Sequence, residues 1–228
     1  LTLHHVVVRD LTKARGLPAG VNLHADAYAA IDDPRVKIVV ELIGGTGVAG
    51  DYVRRALAAG KHVVTANKSL LAAQGPELFA LARRHSVSIA FEASCGGGIP
   101  IIDAMLRGLA ANRIEALVGI VNGTCNYILT RMTKAKLAYA DALREAQEAG
   151  FAEADPTLDV SGRDAAQKLS LLASLAFAQH VREEDILVEG VDTLDAADIG
   201  FAGELGYVIK LLAVGERTGL PIADIVAA

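Results

Sequence analysis

The chain has 228 residues, 52% of them hydrophobic, and a formal net charge of −5. That is apolar material enough for one large or two modest domains, and the acidic balance without a basic face argues against a nucleic-acid partner. There is neither a run of 18 or more apolar residues nor a charged-then-apolar leader, so no membrane-spanning helix and no secretion signal are expected.

Strand and helix signals alternate through the first part of the chain. Residues 3–8 (LHHVVV) predict a strand, and residues 26–31 a short helix. The β-branched run at 36–43 predicts a strand buried on both faces. An amphipathic helix is expected over 51–59, stopped by Gly60. Strand 62–65, helix 70–85 and strand 87–92 follow. This rhythm predicts a parallel sheet with right-handed crossovers, whose ligands sit beyond the carboxyl ends of its strands.

After Glu92 the pattern changes. The cluster Cys95-Gly96-Gly97-Gly98 leads into Ile99-Pro100 and a helix over 101–111. A strand over 114–121, a turn at Asn122-Gly123 and a helix from Tyr127 come next. A helix over 139–149, an acidic loop over 153–162, an apolar helix over 164–178 and a last helix over 203–216 complete the reading. The domain boundary is placed near Ala93. Cys95 and Cys125 lack metal-ligand spacing, which predicts a reduced, cytoplasmic protein.

Five constellations could carry chemistry. The loop Gly45-Thr46-Gly47-Val48-Ala49-Gly50 fits G-x-G-x-x-G between a strand and a helix. The acidic ribose reader wanted about 20 residues later is missing, because that stretch reads Thr65-Ala66-Asn67-Lys68-Ser69. The loop is thus a pyrophosphate cradle or a tight turn lining a cofactor cleft. Arg9, Asp10 and Lys13 follow the first strand. A carboxylate there favours NAD and a guanidinium can grip the 2′-phosphate of NADP, so the trio tilts toward NADP; a solvated charge pair is the alternative. If that strand is the second of its sheet, the first strand and its glycine loop are expected upstream of Leu1, where the sequence opens without Met.

Lys68, at a strand's carboxyl end, could donate to a carbonyl or alcohol oxygen; a surface lysine is the plainer reading. Asp164 and Lys168 share one helix face at i and i+4, beside Glu153, Asp155 and Asp159. An exposed ion pair would explain them, but the helix they open is apolar nearly all round. A buried charge pair is costly unless it binds something. Glu92 with its glycine cluster could surround a hard cation, or could be a hinge between domains.

These segments together resemble the homoserine dehydrogenase family. The matching stretches run from Glu41 to Gly45, Thr65 to Lys68, Glu92 to Ile102, Gly119 to Thr130 and Ala152 to Leu169. The resemblance implies a Rossmann-like nucleotide-binding domain over 1–93, joined by a returning helix at about 218–228. It implies an α+β substrate-binding and dimerisation domain over 94–217. The implied reaction interconverts L-homoserine and L-aspartate 4-semialdehyde with NADP or NAD, in threonine and methionine synthesis.

By the same resemblance, Lys68 and Lys168 are the pair at the reacting oxygen and Asp164 tunes Lys168. Glu153, helped by Asp159, grips the substrate ammonium, while Gly123 and Thr124 line its pocket. Ile43, Gly44, Gly45, Thr65, Asn67 and Lys68 contact the cofactor. Glu92 and the carbonyls of Cys95, Gly97 and Ile99 hold Na or K. A homodimer or higher homo-oligomer is implied. The family's first strand, some late strands of the substrate sheet and a regulatory C-terminal domain find no counterpart in the sequence.

Overall fold

The computed structural model describes residues 1–217, so the helix expected over 218–228 lies outside the described residues. The chain forms two compact units that divide between Pro100 and Ile101. Unit 1 contains β1 (His5–Val7), β2 (Asn22–His24), α1 (Ala27–Asp32), β3 (Ile38–Glu41), α2 (Val48–Ala58), β4 (His62–Thr65), α3 (Lys68–Arg84) and β5 (Ile89–Ala90). Every pairing is parallel, in two separate sheets ordered β1-β2 and β3-β4-β5. The Asp26 and Asn67 side chains accept from the backbone N–H groups of Ala29 and Leu70, which starts α1 and α3 where their first orphan donors need a partner. Helix α2 packs against α1, α3 and the β3-β4 pair. Val53, Leu57, Val63, Leu70 and Leu78 form the buried core there.

Three expectations change in unit 1. Strand β2 was not foreseen. The last strand shrinks to two residues before a 3₁₀ turn at Glu92–Ser94. Strand β3 is not buried on both faces, because Ile38 and Val40 are 40% and 59% exposed while Glu41 is 3% exposed. The β-branched run meets α2 on one side only.

Unit 2 contains α4 (Ile101–Asp103), which continues as a π-helical segment Ala104–Gly108, then β6 (Ala116–Gly119), α5 (Gly123–Ala135), α6 (Tyr139–Glu148), α7 (Thr157–Val160), α8 (Arg163–Phe177), α9 (Ala196–Glu204) and β7 (Ala213–Glu216). Strands β6 and β7 pair antiparallel, from Ala116↔Glu216 to Gly119↔Ala213. The helix expected over 203–216 is therefore only the end of α9, and the remainder is a loop and strand β7 of the β6-β7 sheet. Asn122-Gly123 is a helix start, not a free turn. One core joins Cys125, Ile128, Leu129 and Met132 of α5 to Ala142 and Ala146 of α6. Another joins Leu169, Ala173, Ala176 and Phe177 of α8 to Ala213 of β7. At Gly190 the chain passes so close to the α7–α8 corner that a Cβ would stand 2.7 Å from the Val160 carbonyl oxygen.

Among the described residues, no helix is long and apolar enough to cross a membrane.

Candidate active site

In unit 1 the carboxyl ends of β3 and β4 are bound together by one buried acid. Glu41 closes β3, and its Oε1 accepts from the N–H groups of Ile43 and Gly44 at 2.7 and 3.0 Å. Its Oε2 accepts from the Thr65 hydroxyl at 2.6 Å. The Thr65 Oγ1 in turn accepts from Asn67 N at 3.0 Å, and Asn67 Nδ2 donates to the Gly45 carbonyl at 2.8 Å. Ile43, Gly44, Gly45, Thr65 and Asn67 thus belong to one network, and Lys68 is the first residue of the helix it caps. Gly44 and Gly45 take φ of 82° and 73°, in the left-handed region that glycine tolerates, and a Cβ on either would meet nothing within 4 Å. The loop presents bare backbone to its surroundings.

Sequence reasoning missed Glu41. Its signal was an acid at the end of an otherwise β-branched strand, where burial demands donors.

Arg9, Asp10 and Lys13 lie in the loop after β1. The Asp10 carboxylate accepts from the Thr12 hydroxyl at 2.6 Å and from its N–H at 2.9 Å, which holds its pKa below the usual carboxylate value. The Arg15 guanidinium donates to the carbonyls of Asp10 and Lys13, closing the turn and leaving the Arg9 and Lys13 side chains exposed. Glu92 opens the 3₁₀ turn whose last amide bond reaches buried Cys95. Gly96 and Gly98 are left-handed, and Ile99 N donates to Gly96 O at 2.8 Å, so Gly97 lies within a tight turn. Among the described residues, no group of three or more His, Cys, Asp or Glu side chains could hold a metal ion. A carbonyl-rich cage of the kind described for Glu92 is a different donor set.

In unit 2 the loop after β6 meets the start of α8. The Lys168 ammonium donates to Asp164 Oδ2 at 2.6 Å and to the Val121 carbonyl at 2.8 Å. Both side chains of the ion pair are sheltered, 17% and 7% exposed respectively. Asn122 is the hub: its Nδ2 donates to Asp164 Oδ2 at 2.8 Å and to Asp159 Oδ1 at 2.7 Å, while its Oδ1 caps α5 through Cys125 N. Asp159, Asp164 and Lys168 are therefore brought together, and Asn122, read from sequence as part of a turn, organises them.

Gly123 opens α5. The Thr124 hydroxyl donates to the Phe151 carbonyl at 2.6 Å, and Gln147 donates to the carbonyls of Glu153 and Ala154. The loop carrying Glu153 is thereby fixed while the Glu153 side chain is exposed. Cys125, whose thiol donates to the Asp159 carbonyl, is pushed up to about 12, first by burial and then by Asp159, Asp164 and Asp192. It has no thiolate to offer near neutral pH.

The NAD-binding domain described for homoserine dehydrogenase matches residues 1–92, and the homoserine dehydrogenase domain itself matches residues 100–225. Homoserine dehydrogenase of Bacillus subtilis is 48% identical over 224 residues, covering 97% of this chain and 52% of that protein. The crystal structure of a homoserine dehydrogenase from Thiobacillus denitrificans superposes with a TM-score of 0.89 at 49% identity, covering 94% of this chain and 50% of that one. A hyperthermophilic archaeal homoserine dehydrogenase in complex with NADPH superposes with a TM-score of 0.68 at 29% identity, covering 75% of this chain and 53% of that one. The chain spans about half the length of the curated relatives it matches. With one family domain matched over more than half of its residues and the NAD-binding domain over most of the remainder, the chain belongs to the homoserine dehydrogenase family.

Proposed function

We propose that the chain serves hydride transfer between a nicotinamide dinucleotide and a small amino-acid alcohol, interconverting L-homoserine and L-aspartate 4-semialdehyde. The observation that carries this reading is the sheltered Lys168 ammonium, fixed by Asp164 and a backbone carbonyl in a chain of this family. A bound nicotinamide would accept or supply the hydride. The open backbone at Gly44, Gly45 and Gly47 fits such a group, since nothing stands where side chains would block its approach. Ile43, Gly44, Gly45, Thr65, Asn67 and Lys68 would hold it. Arg9 and Lys13 would meet a 2′-phosphate, which favours NADP.

The substrate oxygen changes charge during the reaction. A lysine ammonium stabilises the developing alkoxide, and a neutral amine accepts the alcohol proton. We assign that work to Lys168 and Lys68, with Asp164 positioning Lys168. Glu153 and Asp159 would bind the substrate ammonium, in a pocket lined by Gly123 and Thr124, setting the carbon chain at hydride distance. Glu92 and the carbonyls of Cys95, Gly97 and Ile99 offer the hard oxygens that Na or K prefers. Reduced, buried Cys95 and Cys125 support a cytoplasmic setting. Exposed Leu187, Phe201, Leu205 and Tyr207 support homodimerisation through unit 2, which light-scattering mass would read.

The test is NADPH oxidation by L-aspartate 4-semialdehyde. Lys168→Ala should lower turnover by about 10²–10⁴ while the cofactor Kd changes less than about twofold, and Lys68→Ala should lower turnover similarly while also weakening cofactor binding. Normal rates in both would end the assignment. A second reading, a nucleotide-binding piece without turnover, is favoured by one observation: the sheet of unit 1 is split into two parts. NADPH binding by fluorescence with no turnover in the unaltered chain would select it.

A further inference from the structure

Two imidazoles meet on one face of the β1-β2 pair. His5 of β1 lies opposite Asn22 and His24 of β2 opposite Val7, so the two histidines are diagonal neighbours on paired parallel strands. His5 Nδ1 and His24 Nε2 stand 3.1 Å apart, with the rings nearly perpendicular at 78°. The other ring nitrogen of His5, Nε2, lies 2.8 Å from Asp33 Oδ2. The Asp33 carboxylate also accepts from the Arg35 guanidinium, and its carbonyl accepts from the Lys61 ammonium at 2.5 Å, which fixes the turn after α1. The side chains of His5 and Asp33 are only 13% and 12% exposed.

Asp33 settles the state of His5. A carboxylate accepts and does not donate, so the hydrogen of neutral His5 sits on Nε2, and Nδ1 presents a lone pair toward His24. With nothing between the rings, His24 Nε2–H donates to that lone pair. When the His24 hydrogen moves to Nδ1, the other neutral tautomer, two lone pairs share the gap. Zinc binds imidazole nitrogen at about 2.0–2.1 Å, and an ion that far from both nitrogens would hold them about 100° apart, near the tetrahedral angle. Small rotations of each ring aim both lone pairs at one point while the strands keep their register. A carboxylate on the remote N–H of a metal-bound imidazole orients the ring and raises its basicity. The neighbouring guanidinium groups of Arg35 and Arg55 are paired with Asp33 and Asp32.

We propose that His5 and His24 form a two-nitrogen site for a divalent transition-metal ion of the zinc class, with Asp33 as the positioning residue behind His5. Water completes the coordination, because among the described residues no group of three or more His, Cys, Asp or Glu side chains could hold a metal ion. Imidazole nitrogens select this class over Mg and Ca, which take oxygen ligands. The bound ion staples β1 to β2 and, through Asp33, to the turn after α1. The inference stands apart from the hydride-transfer reading: none of the three residues is assigned to cofactor or substrate, and loss of turnover would leave it untouched.

The probe is Zn²⁺ alone, titrated by calorimetry into the full 228-residue chain in a buffer that does not bind metal. One equivalent should bind, and the Tm should rise by about 5 °C at about 100 times the Kd. His5→Ala and His24→Ala should each weaken binding at least about tenfold, since each removes one of two nitrogens. Asp33→Asn should weaken it about tenfold, as loss of an orienting partner does. His4→Ala, which changes the adjacent imidazole outside the pair, should bind as the unaltered chain does. If a histidine variant does not fold, the imidazole ¹⁵N spectrum of the unaltered chain decides: Zn²⁺ should move the His5 Nδ1 and His24 Nε2 resonances together, and His5 Nε2 should keep its hydrogen. Absence of binding, binding that survives either histidine change, or a spectrum in which only one ring responds would overturn the two-nitrogen site. Undiminished binding by Asp33→Asn would overturn the positioning role of Asp33.

Discussion

In unit 1 the buried Glu41 carboxylate is satisfied by two backbone N–H groups and a hydroxyl. In unit 2 the buried Asp164 carboxylate is satisfied by a carboxamide and a lysine ammonium. Neutral dipoles that converge on an acid fix the course of a loop, and here they shape the glycine turn at 43–45. A cation beside an acid does something else. It leaves a compensated charge pair in a sheltered place, where a change of charge on a neighbouring oxygen is felt strongly. The first cluster is architecture at a strand end; the second is the better candidate for chemistry.

Substitutions can break that contrast. The largest effect is expected at Asp164→Ala, which strands a sheltered ammonium and should cost about 3–5 kcal/mol by urea denaturation. Combining Asp164→Leu with Lys168→Met should recover most of the stability and none of the turnover. A cost below about 1 kcal/mol for the single change would place the pair in the class of exposed surface pairs. Glu41→Ala should cost about 2–3 kcal/mol and loosen amide exchange at Ile43 and Gly44, because the donors it leaves can partly be rehydrated in an exposed loop. Gly44→Ala should cost about 1–2 kcal/mol from its left-handed φ alone, since no atom obstructs the new methyl group.

The smallest effect concerns Cys125. Its folded-state pKa of about 12 exceeds the ordinary thiol value of 9.0. The stability it contributes is complete below pH 9 and fades as pH rises toward 12, because the unfolded chain ionises first. Iodoacetamide labelling at pH 8 should therefore be slow in the native protein and fast after denaturation. Rapid native labelling would show that the thiol is neither buried nor raised.

Local pattern revealed those parts of the fold that local physics decides. His62–Thr65 emerged as read because Val63 is buried and the run is β-branched, and α8 emerged within a residue of expectation at each end. Strand β7 was read as helix because Leu211, Leu212, Ala213 and Val214 suit either state locally. Pairing with β6, a partner distant in sequence, made the choice. Strand β2 was invisible for the same reason: Asn22-Leu23-His24 has little strand character until β1 supplies its bonds. In the candidate site, the i,i+4 spacing of Asp164 and Lys168 foretold their pairing. The roles of Asn122 and Glu41 were hidden, since each depends on bonds to several segments that sequence alone does not bring together.

The most direct test removes the amine and then returns it. Lys168→Ala should bind NADPH with nearly the native Kd, lose turnover with L-aspartate 4-semialdehyde by about 10²–10⁴, and regain part of it when ethylammonium is added. Native turnover in Lys168→Ala, or a loss that no added amine restores and that cofactor binding shares, would contradict the assignment of that ammonium to the reacting oxygen.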